Sequence, residues 1–203
     1  MRLEVFGQFA VAHGLKRWES FPTARCRDIV AFLALARGDS IPRRWLAENV
    51  WTQSEPDACR NKLSVSLSIM RRMLDSDFDQ LLQCDRHCLR LADGVENEFD
   101  EFWTAMGRFD GTECVVEKMA TVRTLLECHR GPLFVDVRQA WARHARQDAD
   151  KACRKALTWM ASQTGDAGLA ARAEIGCFTG IQLARAEGLE PPTPSSEDWC
   201  SIH

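Results

Sequence analysis

Residues 57–74 read Asp57-Ala58-Cys59-Arg60-Asn61-Lys62-Leu63-Ser64-Val65-Ser66-Leu67-Ser68-Ile69-Met70-Arg71-Arg72-Met73-Leu74. Leu63, Leu67, Met70 and Leu74 recur at i, i+4, i+7 and i+11, the spacing that places side chains on one stripe of an α-helix. The other side carries Arg60, Asn61, Ser64, Ser68, Arg71 and Arg72. Of these, Asn61, Ser64, Ser68 and Arg71 share a face. A helix that hides leucines and shows an amide, small hydroxyls and guanidinium groups suits the major groove of duplex DNA. Asn and Arg make paired hydrogen bonds to base edges, and serines let the backbone approach closely. Arg71 and Arg72 are equally suited to gripping phosphates. The plain alternative is a solvated helix face, which Glu and Lys more often fill.

Upstream, a shorter helix is expected from about Pro42, a residue suited to a first turn. It carries Trp45, Leu46, Val50 and Trp51, with both tryptophans expected in the core. Before it, Pro22-Thr23 offers a helix start with Thr23 as N-cap. Ile29, Val30, Phe32, Leu33 and Leu35 give that helix an apolar face, and Gly38-Asp39-Ser40 ends it. Nearer the N-terminus, Leu3, Val5, Phe9 and Val11 nearly alternate with polar or small residues, which predicts two strands broken at Gly7. Lys16–Phe21 reads as a third. Downstream, Leu81–Cys84 and His87–Leu91 flank Asp85-Arg86 as a hairpin without a turn glycine. Strands, three helices and a hairpin make a winged helix-turn-helix plan over residues 1–93. Further candidate phosphate contacts are Arg25 and Arg27 near the first helix start, Arg43 and Arg44 at the second, and Arg86 at the hairpin tip.

From residue 97 the pattern is helical. Phe99, Phe102, Trp103, Met106 and Phe109 mark one amphipathic helix, residues 113–129 a second and 138–162 a third, with Gly131-Pro132 breaking the chain between the last two. Residues 167–186 read as a fourth. The expected fold class is mainly α with small β: a winged helix-turn-helix domain at 1–93, an all-helical domain at 97–185, and a Pro- and Ser-rich disordered tail at 186–203.

Charge divides along the same line. Residues 1–92 hold 14 Lys+Arg against 11 Asp+Glu, net +3, and residues 93–203 hold 12 against 18, net −6. The acidic half repels phosphate and should face away from DNA. The N-terminus lacks the apolar run of a signal peptide and no stretch is long enough to span a membrane, so a cytoplasmic protein is expected. Nine cysteines without a CxxC pair read as reduced core thiols, and Cys84-Asp85-Arg86-His87-Cys88 lacks a second ligand cluster for zinc. The five histidines are scattered, and no HExxH, nucleophile elbow or P-loop is present, which argues against an enzyme and implies no cofactor. Beside the DNA-binding reading stands a protein-interaction module whose winged helix no longer binds DNA.

Several segments resemble one family in order. Leu3–Phe9 is similar to its opening strands, Arg25–Ala36 to its first helix, and Leu46-Ala47-Glu48-Asn49-Val50-Trp51 to the "LAE.LW" signature of its second. Leu63, Ser66 and Met70-Arg71-Arg72-Met73-Leu74 resemble its recognition helix. This is the SARP-type, AfsR-like group of bacterial transcriptional activators with an OmpR-type winged helix. Arg130-Gly131-Pro132-Leu133-Phe134-Val135-Asp136, with Trp141 and Arg146, resembles its tetratricopeptide-like bacterial transcriptional activator domain. The resemblance covers residues 2–165. It implies binding of double-stranded promoter DNA at repeated sites, a homodimer, and contact with RNA polymerase. Cys88 stands where the family carries an aromatic in the wing. Glu187–Cys200 resembles tails produced when a reading frame runs through an unrelated RNA gene, which would leave the helical domain truncated.

Overall fold

The computed structural model describes residues 1–165 and 168. It is mainly helical with two small sheets. In chain order the elements are β1 (Arg2–Glu4), β2 (Ala10–His13), β3 (Lys16–Trp18), α1 (Ala24–Leu35), β4 (Ile41–Pro42), α2 (Arg43–Val50) and α3 (Pro56–Leu74). A 3₁₀ turn (Asp75–Asp77) then leads into α4 (Phe78–Leu81), β5 (Leu82–Cys84), β6 (Cys88–Leu91), β7 (Glu96–Asn97), α5 (Glu98–Gly111), α6 (Val115–Cys128) and α7 (Ala140–Thr164). The expected fourth helix, apart from Gly168, and the expected tail lie outside the described residues.

The first sheet runs β3-β2-β1-β7. Leu3 pairs with Val11, and Val11 with Trp18, so one register buries the apolar positions of β1 and β2. Gly7 has φ +79°, which sets the break after β1. β3 stops at Trp18, short of the expected Phe21. The second sheet runs β4-β6-β5. Its hairpin turns without glycine because the Asp85 carboxylate accepts the N–H groups of His87 and Cys88, both at 2.6 Å. The side chain thus mimics a turn backbone. Those two bonds, Cys88's first, hold the Asp85 carboxyl below the usual carboxylate range.

α1 begins as expected: the Thr23 hydroxyl accepts from the Cys26 N–H at 3.1 Å. The predicted stripe of α3, Leu63, Leu67, Met70 and Leu74, is buried against the rest of the N-terminal half. Trp51 is buried as expected. Trp45 is not: it is 50% exposed, resting edge-on against Phe32 at 5.1 Å, because α2 turns Leu46, Ala47 and Val50 inward instead.

One apolar core runs from the first sheet through α7. The Gly131-Pro132 break does more than end a helix. Gly7 donates to the Pro132 carbonyl at 3.1 Å and Phe134 to the Val5 carbonyl at 2.8 Å, so the loop lies on the chain just after β1. A methyl group on Gly131 would sit 2.8 Å from the Gly7 Cα, so only glycine fits unless the backbone shifts. Arg146 on α7 donates to the carbonyls of Leu133, Phe134 and Val137 and holds the loop from behind.

Asp77 locks the segment after α3 to the β2–β3 hairpin. It accepts from Lys16 Nζ at 2.6 Å and pairs with His13 Nδ1 at 2.8 Å. The Lys16 bond first, and the His13 bond second, lower its pKa. A carboxyl with a lowered folded pKa contributes its stability above the ordinary range and loses it as pH falls through the folded value. The melting-temperature gap between the wild-type chain and Asp77→Asn should therefore close as pH falls below about pH 4. A gap that widens on acidification would contradict this.

Candidate nucleic-acid interface

α3 presents its outward face bare. Arg60, Asn61, Ser64, Ser68, Arg71 and Arg72 are all exposed, and none of the described residues of the acidic C-terminal half covers them. Pro56 sits in the first turn and Asp57 beside it, while Arg71 and Arg72 occupy the last turn. That order of charge suits the helix dipole. The hydroxyls of Ser64 and Ser68 bond back to the Arg60 and Ser64 carbonyls at 3.1 and 3.0 Å, which keeps them low on the helix surface.

The arginines differ in how they are held. The Arg71 guanidinium lies 4.3 Å from the centre of the Phe78 ring, a cation–π contact that steadies it at the helix end. Arg60 pairs with Asp57 at 3.5 Å and Arg44 with Glu48 at 2.7 Å, both on the surface where such pairs exchange readily. Arg86 is exposed at the hairpin tip. Arg43 ties the hairpin to α2: its N–H donates to the His87 carbonyl at 2.8 Å and its guanidinium to the Asp85 carbonyl at 3.4 Å. Burial pushes the Cys84 thiol up, opposed by the charges of Arg43 and Arg71. The hairpin therefore stands beside the N-terminus of α2 and the C-terminus of α3.

Arg25 and Arg27 are placed differently. Arg25 donates to the Asp28 carboxylate at 3.0 Å and the Val50 carbonyl at 2.9 Å. Arg27 donates to the Asp136 carbonyl at 2.6 Å, with its Nε buried. Gln139 joins the same cluster, donating to Asp28 at 3.0 Å. Both arginines are committed to joining α1 to α2 and to the loop before α7. Position near a helix start does not distinguish them from free cations, because the Val50 and Asp136 carbonyls that hold them are distant in sequence.

Two outward side chains escaped the sequence reading. Val65 is 59% exposed on α3, and Trp45 stands beside Arg44 on α2. A valine offers no hydrogen bond to mark it as a reader, and the apolar character of the tryptophan suggests burial. Among the described residues, no group of three or more His, Cys, Asp or Glu is placed to hold a metal ion, and no helix is long and apolar enough to cross a membrane. No protein-family model matches the chain, and no curated protein matches it.

Proposed function

We propose that the chain is a DNA-binding transcription regulator in which residues 1–93 act as a winged helix-turn-helix. α3 enters the major groove, and the β5–β6 hairpin is the wing. Arg44 and Arg86 grip phosphates on either side, with Arg71 and Arg72 at the end of the reading helix. The helical half, joined through the Gly131-Pro132 loop, serves as the surface for a second copy or for RNA polymerase. The observation that carries this reading is the uncovered face of α3, with Asn61, Ser64, Ser68 and Arg71 open along its length.

Selection from a random duplex library at two salt concentrations tests it. Arg44, Arg60, Arg72 and Arg86 are four exposed cations. If each displaces a counterion, log K should fall against log salt with a slope of about −3 to −4. Enrichment of a direct repeat would also support a dimer. The pairing of Arg44 and Arg60 with carboxylates favours a second reading, a protein-interaction module, since it lowers the positive potential of the face. Retention that is independent of sequence and flat against salt would select that reading and exclude the first.

A further inference from the structure

Val65 is a poor choice for a helix that needs only solubility at that position. Its β-branched side chain loses rotamer freedom in a helix, and Ala, Lys or Glu would serve the helix better. Isolated exposed apolar residues are common on protein surfaces and mean little alone. Here the position decides. Asn61, Val65, Ser68 and Arg72 fall at i, i+4, i+7 and i+11, opposite the buried stripe containing Leu63 and Met70. Val65 therefore sits on the crown of the face. Around it the floor is low, because Ser64 and Ser68 have turned their hydroxyls back to the helix. Asn61 and Val65 are the side chains that rise from the middle of this face, one amide and one apolar knob a helical turn apart.

The major-groove edges of the bases answer those two shapes differently. Thymine alone among the four common bases offers an apolar group there, its C5 methyl. Guanine and cytosine offer acceptors and a donor, which a valine would cut off from water without replacing the lost hydrogen bond. The asparagine amide matches the paired donor and acceptor of adenine. One helical turn advances ~5.4 Å, and successive base pairs lie ~3.4 Å apart. The two contacts thus fall within one or two base pairs of each other. We propose that Val65 is a specificity-determining residue that selects a thymine by its C5 methyl, next to an adenine bound by Asn61. This rests on the DNA-binding reading and adds the base to it.

Deoxyuridine lacks only that methyl. In the duplex enriched by the wild-type chain, each dT is replaced in turn by dU, and affinity is measured by fluorescence anisotropy. At one position the loss should be about fourfold, the worth of one buried methyl group. Val65→Ala should bind dT and dU equally there, while Asn61→Ala should keep the dT preference. Val65 is exposed, so the variant should fold normally, which circular dichroism checks. Failure to enrich any duplex would overturn the DNA-binding reading and this inference together. An enriched duplex that tolerates dU everywhere, or a Val65→Ala variant that keeps the full dU penalty, would overturn the role of Val65 and leave the DNA-binding reading standing.

Discussion

The double variant R71E/R72E is expected to bind the selected duplex at least about 100-fold more weakly than the wild-type chain, with its fold retained. An arginine contact to a base is worth ~1–3 kcal/mol, and ~1.4 kcal/mol is tenfold in affinity. Two such losses already approach the stated factor. Two carboxylates then face phosphates that the arginines had attracted, which adds repulsion. Both positions are exposed, so little packing is lost. Arg71 does give up its contact with Phe78, worth ~0.5–1 kcal/mol at an exposed site, and the helix end loses a favourable charge. A modest drop in melting temperature should therefore accompany the loss of binding. Arg108→Glu, in the last turn of α5, is the control. It makes the same kind of charge change on the helical half and should leave affinity nearly unaltered. If R71E/R72E binds within tenfold of the wild-type chain, the last turn of α3 does not face the duplex.

What could be read from the chain followed the strength of its local patterns. α3 was legible because four large apolar residues keep one helical phase over three turns while the opposite side is polar apart from Val65. Thr23 was legible because an N-cap needs only its own neighbours. β4 and β7 were not. Each is two residues long, and each exists because a distant strand pairs with it, β6 in one case and β1 in the other. The arginines show the same limit. Arg44, Arg60, Arg72 and Arg86 stay on the surface, whereas Arg25 and Arg27 are used up by Asp28, Val50 and Asp136. Nothing within a few residues of Arg27 announces a carbonyl at position 136. Val65 was hidden for a different reason: an apolar residue on a polar face reads as noise until the neighbouring serines are seen to lie flat.

The junction between the halves was likewise out of reach of local pattern, and Glu98 is its centre. This side chain is 0% exposed. One carboxylate oxygen accepts from Val5 and Phe6 N–H groups at 2.8 and 3.1 Å, and the other accepts from Arg130 at 2.6 Å. The same stretch of chain receives the Gly131-Pro132 loop, and the Phe6 ring packs against Phe102 and His129. Glu98→Ala should therefore cost ~2–4 kcal/mol, chiefly from buried N–H groups left without an acceptor, since the half-exposed Arg130 can turn to water. Two buried N–H groups lose their acceptor, Arg130 loses its partner, and a cavity opens. The urea midpoint of unfolding measures the loss, and an unchanged midpoint would show that the clamp contributes nothing.

Glu98→Gln separates charge from shape. Burial is the largest influence on this carboxyl and raises its pKa, opposed by the Val5 and Phe6 N–H groups and by Arg130. A carboxyl raised in the folded state gives its full stability below the unfolded value and loses it as pH rises through the folded one. Glutamine keeps an acceptor and nearly the same volume but does not titrate. The wild-type chain should thus hold its greatest advantage over Glu98→Gln near pH 4 and lose part of it by pH ~7. Other carboxylates titrate alike in both proteins, so the difference isolates Glu98. An advantage that grows with pH would mean that the ion pair with Arg130 outweighs the cost of burying the charge.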